Sequence, residues 1–107
     1  MAEPRRLYQD NRPYAVPESL EELTGPTSGV VDLPLRLDWS EQGRYDLDDP
    51  KQLCLMYERV IREAMHTQDL RTFLHGATLT QVWSRLYLPR NIRDLWESRF
   101  RSLRSAA

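Results

Sequence analysis

Few residues of this sequence have side chains that commonly act in catalysis or bind metal ions. The chain holds one cysteine, Cys54, and two histidines, His66 and His75. A Cys–His pair can act as nucleophile and base, but the glycines and activating groups that accompany such pairs are missing here. The histidines have no second cysteine or carboxylate around them at a metal-ligand spacing. We therefore expect no catalytic or metal site, no cofactor and no small-molecule substrate.

Two loops resemble ligand-binding motifs without completing them. The glycine-flanked turn at residues 25–29 lacks the Lys-Ser/Thr pair and the following helix of a phosphate-binding loop. Asp46, Asp48 and Asp49 lack the spaced ligands, the glycine and the distal glutamate of a calcium-binding loop. We interpret the first as a turn and the aspartates as helix-capping residues.

Arginine is the other residue type that can carry function. The first 50 residues hold five arginines against eleven acidic residues, whereas the rest of the chain holds ten basic against five acidic residues. The opposite charges of these two parts either neutralise each other within the fold, or the basic part forms a surface for a partner. On a helical wheel, an arc of about 80° holds Arg90, Arg93, Arg101 and Arg104, and Arg99 falls within the apolar stripe. A solvated face, an acidic protein partner and nucleic acid are the three interpretations of this cluster.

The clearest predicted element is a helix at residues 50–65. Asp49 suits the N-cap and Pro50 the first helical position, where its missing N–H is not needed. One apolar face follows at helical spacing and comprises Leu53, Met56, Tyr57, Val60, Ile61 and Ala64. A stripe this regular indicates a helix buried against the rest of the domain.

The remaining patterns predict a mainly α protein. Further helices are expected at residues 67–75, 78–87 and 89–103, with Gly76 as a terminator and Thr78 and Gln81 as a capping box. Residues 48–104 would then form a small four-helix C-terminal bundle. Residues 1–47 would supply an extended N-terminal arm, a short helix at 17–25 and one strand-like segment at 30–39. We expect residues 1–107 to form a single domain.

The strand-like segment alternates apolar and polar residues over residues 31–39. Pro34 removes one backbone donor, which restricts such a strand to an edge or to one-sided pairing. No convincing partner strand is evident elsewhere in the chain. The segment therefore either packs its Leu/Trp face on the helices or completes the sheet of another chain.

Composition indicates an ordinary globular protein. Of 107 residues, 40% are hydrophobic and 29% charged, which excludes a disordered or membrane-embedded class. No apolar run reaches the roughly 18 residues of a membrane span, and the N-terminus has no signal-peptide pattern. A single cysteine fits a reducing compartment. We expect a cytoplasmic protein that does not associate with a membrane.

Four strings of the sequence resemble small bacterial proteins of GC-rich genomes that are encoded beside nucleotidyltransferase-like toxins of the AbiE type. They lie at residues 12–17, 25–34, 45–50 and 69–74. The resemblance implies the antitoxin of a toxin–antitoxin pair, which binds and restrains its toxin, and it implies no catalytic residue. The large N-terminal winged-helix domain of better-described AbiE antitoxins is missing, which argues against autoregulation through DNA.

The sequence thus predicts a non-catalytic protein-binding module whose partner is the product of a neighbouring gene. Apolar anchors and arginines would contact that partner: Tyr8, Tyr14, Leu35, Trp39, Arg90, Arg93, Arg99 and Arg101. The alternative is a small helix-turn-helix DNA-binding regulator. In that case the helix at 78–87 would present Thr80, Ser84 and Arg85 to DNA.

Overall fold

The structure is a computed structural model that describes residues 14–38 and 43–106. It is mainly helical, as predicted, with a short two-stranded antiparallel sheet. The helices are α1 (Pro50–Glu63), α2 (Thr67–Phe73), α3 (Gly76–Val82), α4 (Arg90–Arg99) and α5 (Arg101–Ala106), and 3-10 turns occur at Leu20–Glu22 and Trp83–Arg85. Because the described residues form five α-helices rather than four, the predicted four-helix bundle is not confirmed.

Helix α1 begins as predicted. The Asp49 side chain accepts a hydrogen bond from the Lys51 backbone N–H at 3.0 Å, and Pro50 occupies the first turn. The predicted apolar face is buried and comprises Leu53, Met56, Tyr57, Val60 and Ile61. The helix ends at Glu63, two residues earlier than predicted, because Ala64 adopts an extended backbone.

The strand-like segment has a partner strand within the chain, although none was evident in the sequence. Strand β1 (Val30–Asp32) pairs with strand β2 (Arg44–Asp46), and Val31 lies opposite Tyr45. Hydrogen bonds from Leu33 N to Gly43 O and from Leu47 N to Gly29 O, both 2.8 Å, extend the pairing by one residue at each end. Strand β2 is only three residues long, too short for its alternation to stand out in the sequence.

Gly76 does not terminate a helix, contrary to the prediction. It is the buried first residue of α3, and the His75 side chain, rather than Thr78, caps this helix by accepting from the Thr78 backbone N–H. The Leu20 carbonyl packs so closely that a Cβ on Gly76 would lie 2.2 Å from its oxygen. Glycine is needed here for close approach of two backbone segments, not for a left-handed turn.

The predicted last helix is interrupted. Phe100 has an extended backbone, with φ −122° and ψ 105°, and separates α4 from α5. The predicted helix at 78–87 is also shorter, since α3 ends at Val82 and a 3-10 turn follows.

Both predicted parts of the chain contribute to one core. Its fully buried side chains include Leu37 from the N-terminal part, Tyr57 and Ile61 of α1, and Trp83 and Trp96 from the C-terminal helices. The N-terminal segment is fastened to this core by two backbone hydrogen bonds, from Gly25 N to Leu74 O at 2.8 Å and from Gly76 N to Leu23 O at 3.0 Å.

Candidate functional site

Cys54 and the two histidines lie on different elements: Cys54 is part of α1, and His66 and His75 directly precede α2 and α3. Cys54 is half-buried, and burial raises the pKa of its thiol, so the nucleophilic thiolate is disfavoured. His75 caps α3, and its backbone N–H donates to the Tyr57 hydroxyl at 3.0 Å. His66 is exposed at the start of α2. Within residues 14–38 and 43–106, no three His, Cys, Asp or Glu side chains cluster in a way that could hold a metal ion.

Leu35 is the predicted contact residue whose position on the surface is best defined. It lies on a turn after β1 and is 77% exposed, whereas Leu33 and Leu37 on either side are buried. The turn is closed by hydrogen bonds from Leu37 N and Asp38 N to the Pro34 carbonyl, at 2.9 and 3.0 Å. Because Pro34 has no N–H, it cannot continue the strand ladder, and the chain turns at this point.

An ion pair anchors the same turn to helix α2. Arg36 Nη1 lies 2.6 Å from Asp69 Oδ2, and the Asp69 carboxylate is buried. A buried carboxylate requires such a partner, so Asp69 restrains Arg36 and with it the Leu35 turn. Arg36 and Leu37 also line a shallow cavity of about 120 Å³ with Met65, which is 57% exposed. The exposed Met65 thus shares a cavity with two residues of the Leu35 turn.

A buried polar network holds the other end of the turn. The Tyr45 hydroxyl donates a hydrogen bond to Asp38, whose side chain is fully buried, and Arg59 Nε lies 3.7 Å from the second Asp38 oxygen. Burial, followed by the hydrogen bond to Asp38, raises the pKa of Tyr45 to about 12. This network links the turn to β2 and α1, and the Arg36–Asp69 pair links it to α2. Three elements therefore hold the Leu35 turn in place.

Tyr45 is expected to make stability depend on pH in alkaline solution. Its pKa rises from an ordinary value of 10.0 to about 12 on folding, so between these values the unfolded chain loses the proton while the folded chain keeps it. This contribution to stability is therefore fully present below pH 10.0 and is lost as the pH rises towards 12. Thermal melts at stepped pH should show a steeper alkaline decline for the wild type than for Tyr45→Phe. Parallel declines would contradict the raised pKa.

The predicted arginine face is not one surface. The break at Phe100 places Arg101 and Arg104 on a different helix from Arg90, so the arc expected for one continuous helix is wrong. Arg90, Arg99 and Arg101 are exposed, and none of them has an ion-pair partner among the described residues.

Arg93 is used within the fold. Its guanidinium lies 4.9 Å from the centre of the Trp83 ring and 3.6 Å from Glu97, and it donates hydrogen bonds to the Trp83 and Leu86 carbonyls. A half-buried side chain with these contacts stabilises the junction between the Trp83–Arg85 turn and α4. These contacts give Arg93 a structural role, and its role in partner binding stays a prediction.

Charges from the two halves of the chain meet at several places. Arg71 Nη1 lies 3.1 Å from Glu22 Oε2, and a groove of about 260 Å³ has Glu18 and Glu21 together with Arg99 and Arg101 in its lining. The opposite charges of the two halves are thus partly neutralised within the molecule.

The other predicted contact residues differ in exposure. Tyr14 is half-buried and packs against the core, while Tyr8 and Trp39 lie outside the described residues. Leu55 was not among the predicted contacts, yet it is 49% exposed beside an apolar groove on α1. The available signal was that Leu55 falls outside the buried stripe of its helix.

The residues proposed to contact DNA do not share an exposed helix face. Thr80 is half-buried, its hydroxyl donates to the Gly76 carbonyl at 3.1 Å, and Glu21 lines the cavity next to it. Ser84 and Arg85 are exposed but belong to the 3-10 turn after α3. An acidic side chain beside Thr80 would repel the phosphates of a DNA backbone.

No helix within the described ranges is long and apolar enough to cross a lipid bilayer. Comparison of the chain with protein-family models, with curated proteins and with solved structures finds no match.

Proposed function

We propose that this protein is a non-catalytic protein-binding module that acts in the cytoplasm as an antitoxin. Its partner would be a nucleotidyltransferase-like toxin encoded by a neighbouring gene. The resemblance of residues 12–17, 25–34, 45–50 and 69–74 to small proteins encoded beside such toxins supports this partner class.

The main observation that supports the proposal is that Leu35 is exposed on a turn held in place by the rest of the fold. An exposed leucine whose neighbours Leu33 and Leu37 are buried has a fixed position and direction. Burying it against a partner would contribute about 1.5–3 kcal/mol. Since the turn is already held by Asp69 and by the Asp38 network, little conformational entropy would be lost on binding.

The other predicted anchors have supporting roles in this mechanism. Trp39 follows Asp38 directly in the chain and remains a predicted second anchor, as does Tyr8. The exposed Arg90, Arg99 and Arg101 would orient an acidic partner surface and speed association.

Leu35→Asp is expected to weaken the complex about 30-fold, which corresponds to the roughly 2 kcal/mol of a strong interface contact. The protein would be co-purified with the product of the neighbouring gene, and the dissociation constant would be measured by calorimetry. Growth of cells that express the toxin would report loss of neutralisation. Leu35 is exposed, so the variant should keep the melting temperature of the wild type.

Leu95→Asp is the matched control. Leu95 is also exposed, at 40%, but lies on α4 rather than on the turn. It should leave the affinity nearly unchanged. Equal losses for the two variants, or none for Leu35→Asp, would contradict the proposed role of the turn.

A further inference from the structure

A second surface lies at the N-terminal half of α1, away from Leu35. Here an open groove of about 450 Å³ is lined by Pro50, Lys51, Cys54, Leu55, Glu58 and Arg85. Leu55 forms exposed apolar surface in this groove, although it lies on a helix whose other face fills the core. Leu55 and Glu63, which lines the cavity beside the Leu35 turn, are separated by about 12 Å along the helix axis.

An aromatic side chain stands beside the groove. The Tyr87 backbone N–H donates to Glu58 Oε2 at 2.9 Å, which places Tyr87 next to this lining residue. The Tyr87 side chain is 80% exposed. Exposed tyrosine next to an apolar groove is typical of protein-binding surfaces, where tyrosine is enriched among strong contacts.

The charges around the groove favour an acidic occupant. Lys51 and Arg85 are exposed and have no ion-pair partner in the described part of the chain. The carboxylate of Glu58, by contrast, already accepts the hydrogen bond from Tyr87 N. Arg85 is close enough to Cys54 for its charge to act on the thiol. The lining of the groove therefore combines apolar surface with two available cations.

We propose that this groove binds an acidic segment of a partner protein. The segment would place a large apolar side chain against Leu55 and Cys54 and its carboxylates against Lys51 and Arg85. An open groove with charged groups at its edges fits a peptide segment, whose side chains alternate between apolar and acidic contacts. This inference does not rest on the proposed toxin, because it uses residues distinct from the Leu35 turn.

The test is selection of binders from a random peptide library on the immobilised full-length protein. The strongest peptide would then be synthesised with a fluorescent label and titrated with wild-type protein and variants. We expect the selected peptides to combine a large apolar residue with neighbouring Asp or Glu residues. Raising the salt from about 50 to about 300 mM should weaken binding several-fold, since exposed charges are screened.

Leu55→Glu should weaken peptide binding about 30-fold and Arg85→Glu about 10-fold. Both residues are at least partly exposed, so melting temperatures should stay near that of the wild type. Replacing the acidic residues of the peptide by lysine should restore part of its affinity for Arg85→Glu. Leu35→Asp is the matched control, and it should bind the peptide as tightly as the wild type.

Four results would overturn the inference. These are failure to select any peptide, peptides without acidic residues, binding that is insensitive to Leu55→Glu, and a dimer of this chain that Leu55→Glu dissociates. The last result would show that a second copy occupies the groove. Loss of neutralisation by Leu35→Asp with unchanged peptide binding would separate this inference from the proposed function, because each surface would then be tested independently.

Discussion

Replacing Trp83 by alanine is expected to lower the free energy of unfolding by about 3–5 kcal/mol. Trp83 is fully buried, its ring centre lies 6.0 Å from that of Trp96, and Arg93 covers it at 4.9 Å. The variant would lose this packing and leave a cavity that the surrounding helices fill only in part. Small domains have a total stability of about 5–15 kcal/mol, so a large fraction would be lost. Urea unfolding followed by far-UV circular dichroism would measure it.

A pair of tryptophan-to-phenylalanine variants separates the hydrogen bond of Trp83 from its packing. Trp83 Nε1 donates to Glu97 Oε2 at 2.8 Å, whereas the buried Trp96 Nε1 has no partner among residues 14–38 and 43–106. Trp83→Phe removes a bond to a carboxylate, which contributes about 1.5–3 kcal/mol. Trp96→Phe removes an N–H that makes no such bond and should cost less. A larger loss for Trp96→Phe would contradict the importance of the Glu97 bond.

Gly76→Ala is expected to destabilise the protein by about 3 kcal/mol, at the upper end of the effect of overpacking. The added methyl group would lie 2.2 Å from the Leu20 carbonyl oxygen, which belongs to the backbone and cannot rotate away. Relief requires the segment around the Leu20–Glu22 turn to move away from α3. That movement would strain the bond from Gly76 N to Leu23 O. Chemical denaturation would measure the loss of stability.

Gly43→Ala is the control for this substitution. Gly43 has a positive φ of 60°, but within the described ranges no atom beyond its two chain neighbours lies within 4 Å of the position of an added Cβ. Its cost is limited to the left-handed conformation, about 1–2 kcal/mol. A smaller loss for Gly76→Ala than for Gly43→Ala would show that the Leu20 segment can move at little cost.

The close packing of Gly76 against the Leu20 backbone also shows why the glycine was misinterpreted as a helix terminator. Glycine after an apolar helical pattern commonly ends a helix, because it readily adopts a positive φ. Among the described residues, however, positive φ occurs at Gly29 and Gly43 and not at Gly76. The requirement for glycine comes from Leu20, more than 50 residues earlier in the chain. No pattern around residue 76 contains that information.

Leu35 was predicted to contact a partner because it belongs to the strand-like segment. The structure exposes Leu35 for a different reason. Period-two alternation would place Leu33, Leu35 and Leu37 on the same face of a strand. The structure instead buries Leu33 and Leu37 and exposes Leu35, because the chain turns after Pro34. The missing N–H of proline was visible in the sequence, whereas the Arg36–Asp69 pair that anchors the turn joins residues 33 positions apart.

Local patterns in this sequence determined the mainly helical fold, the start of α1 and its buried stripe. These features depend on residues within one or two helical turns, such as the Asp49–Pro50 pair and the apolar spacing from Leu53 to Ile61. Tertiary structure alone decided which surfaces remain available. It placed the Arg93 guanidinium over the Trp83 ring, placed Glu21 beside Thr80 and left Leu55 exposed. The exposure of a side chain depends on contacts between segments that are far apart in the sequence. The periodicity of the sequence does not reveal those contacts.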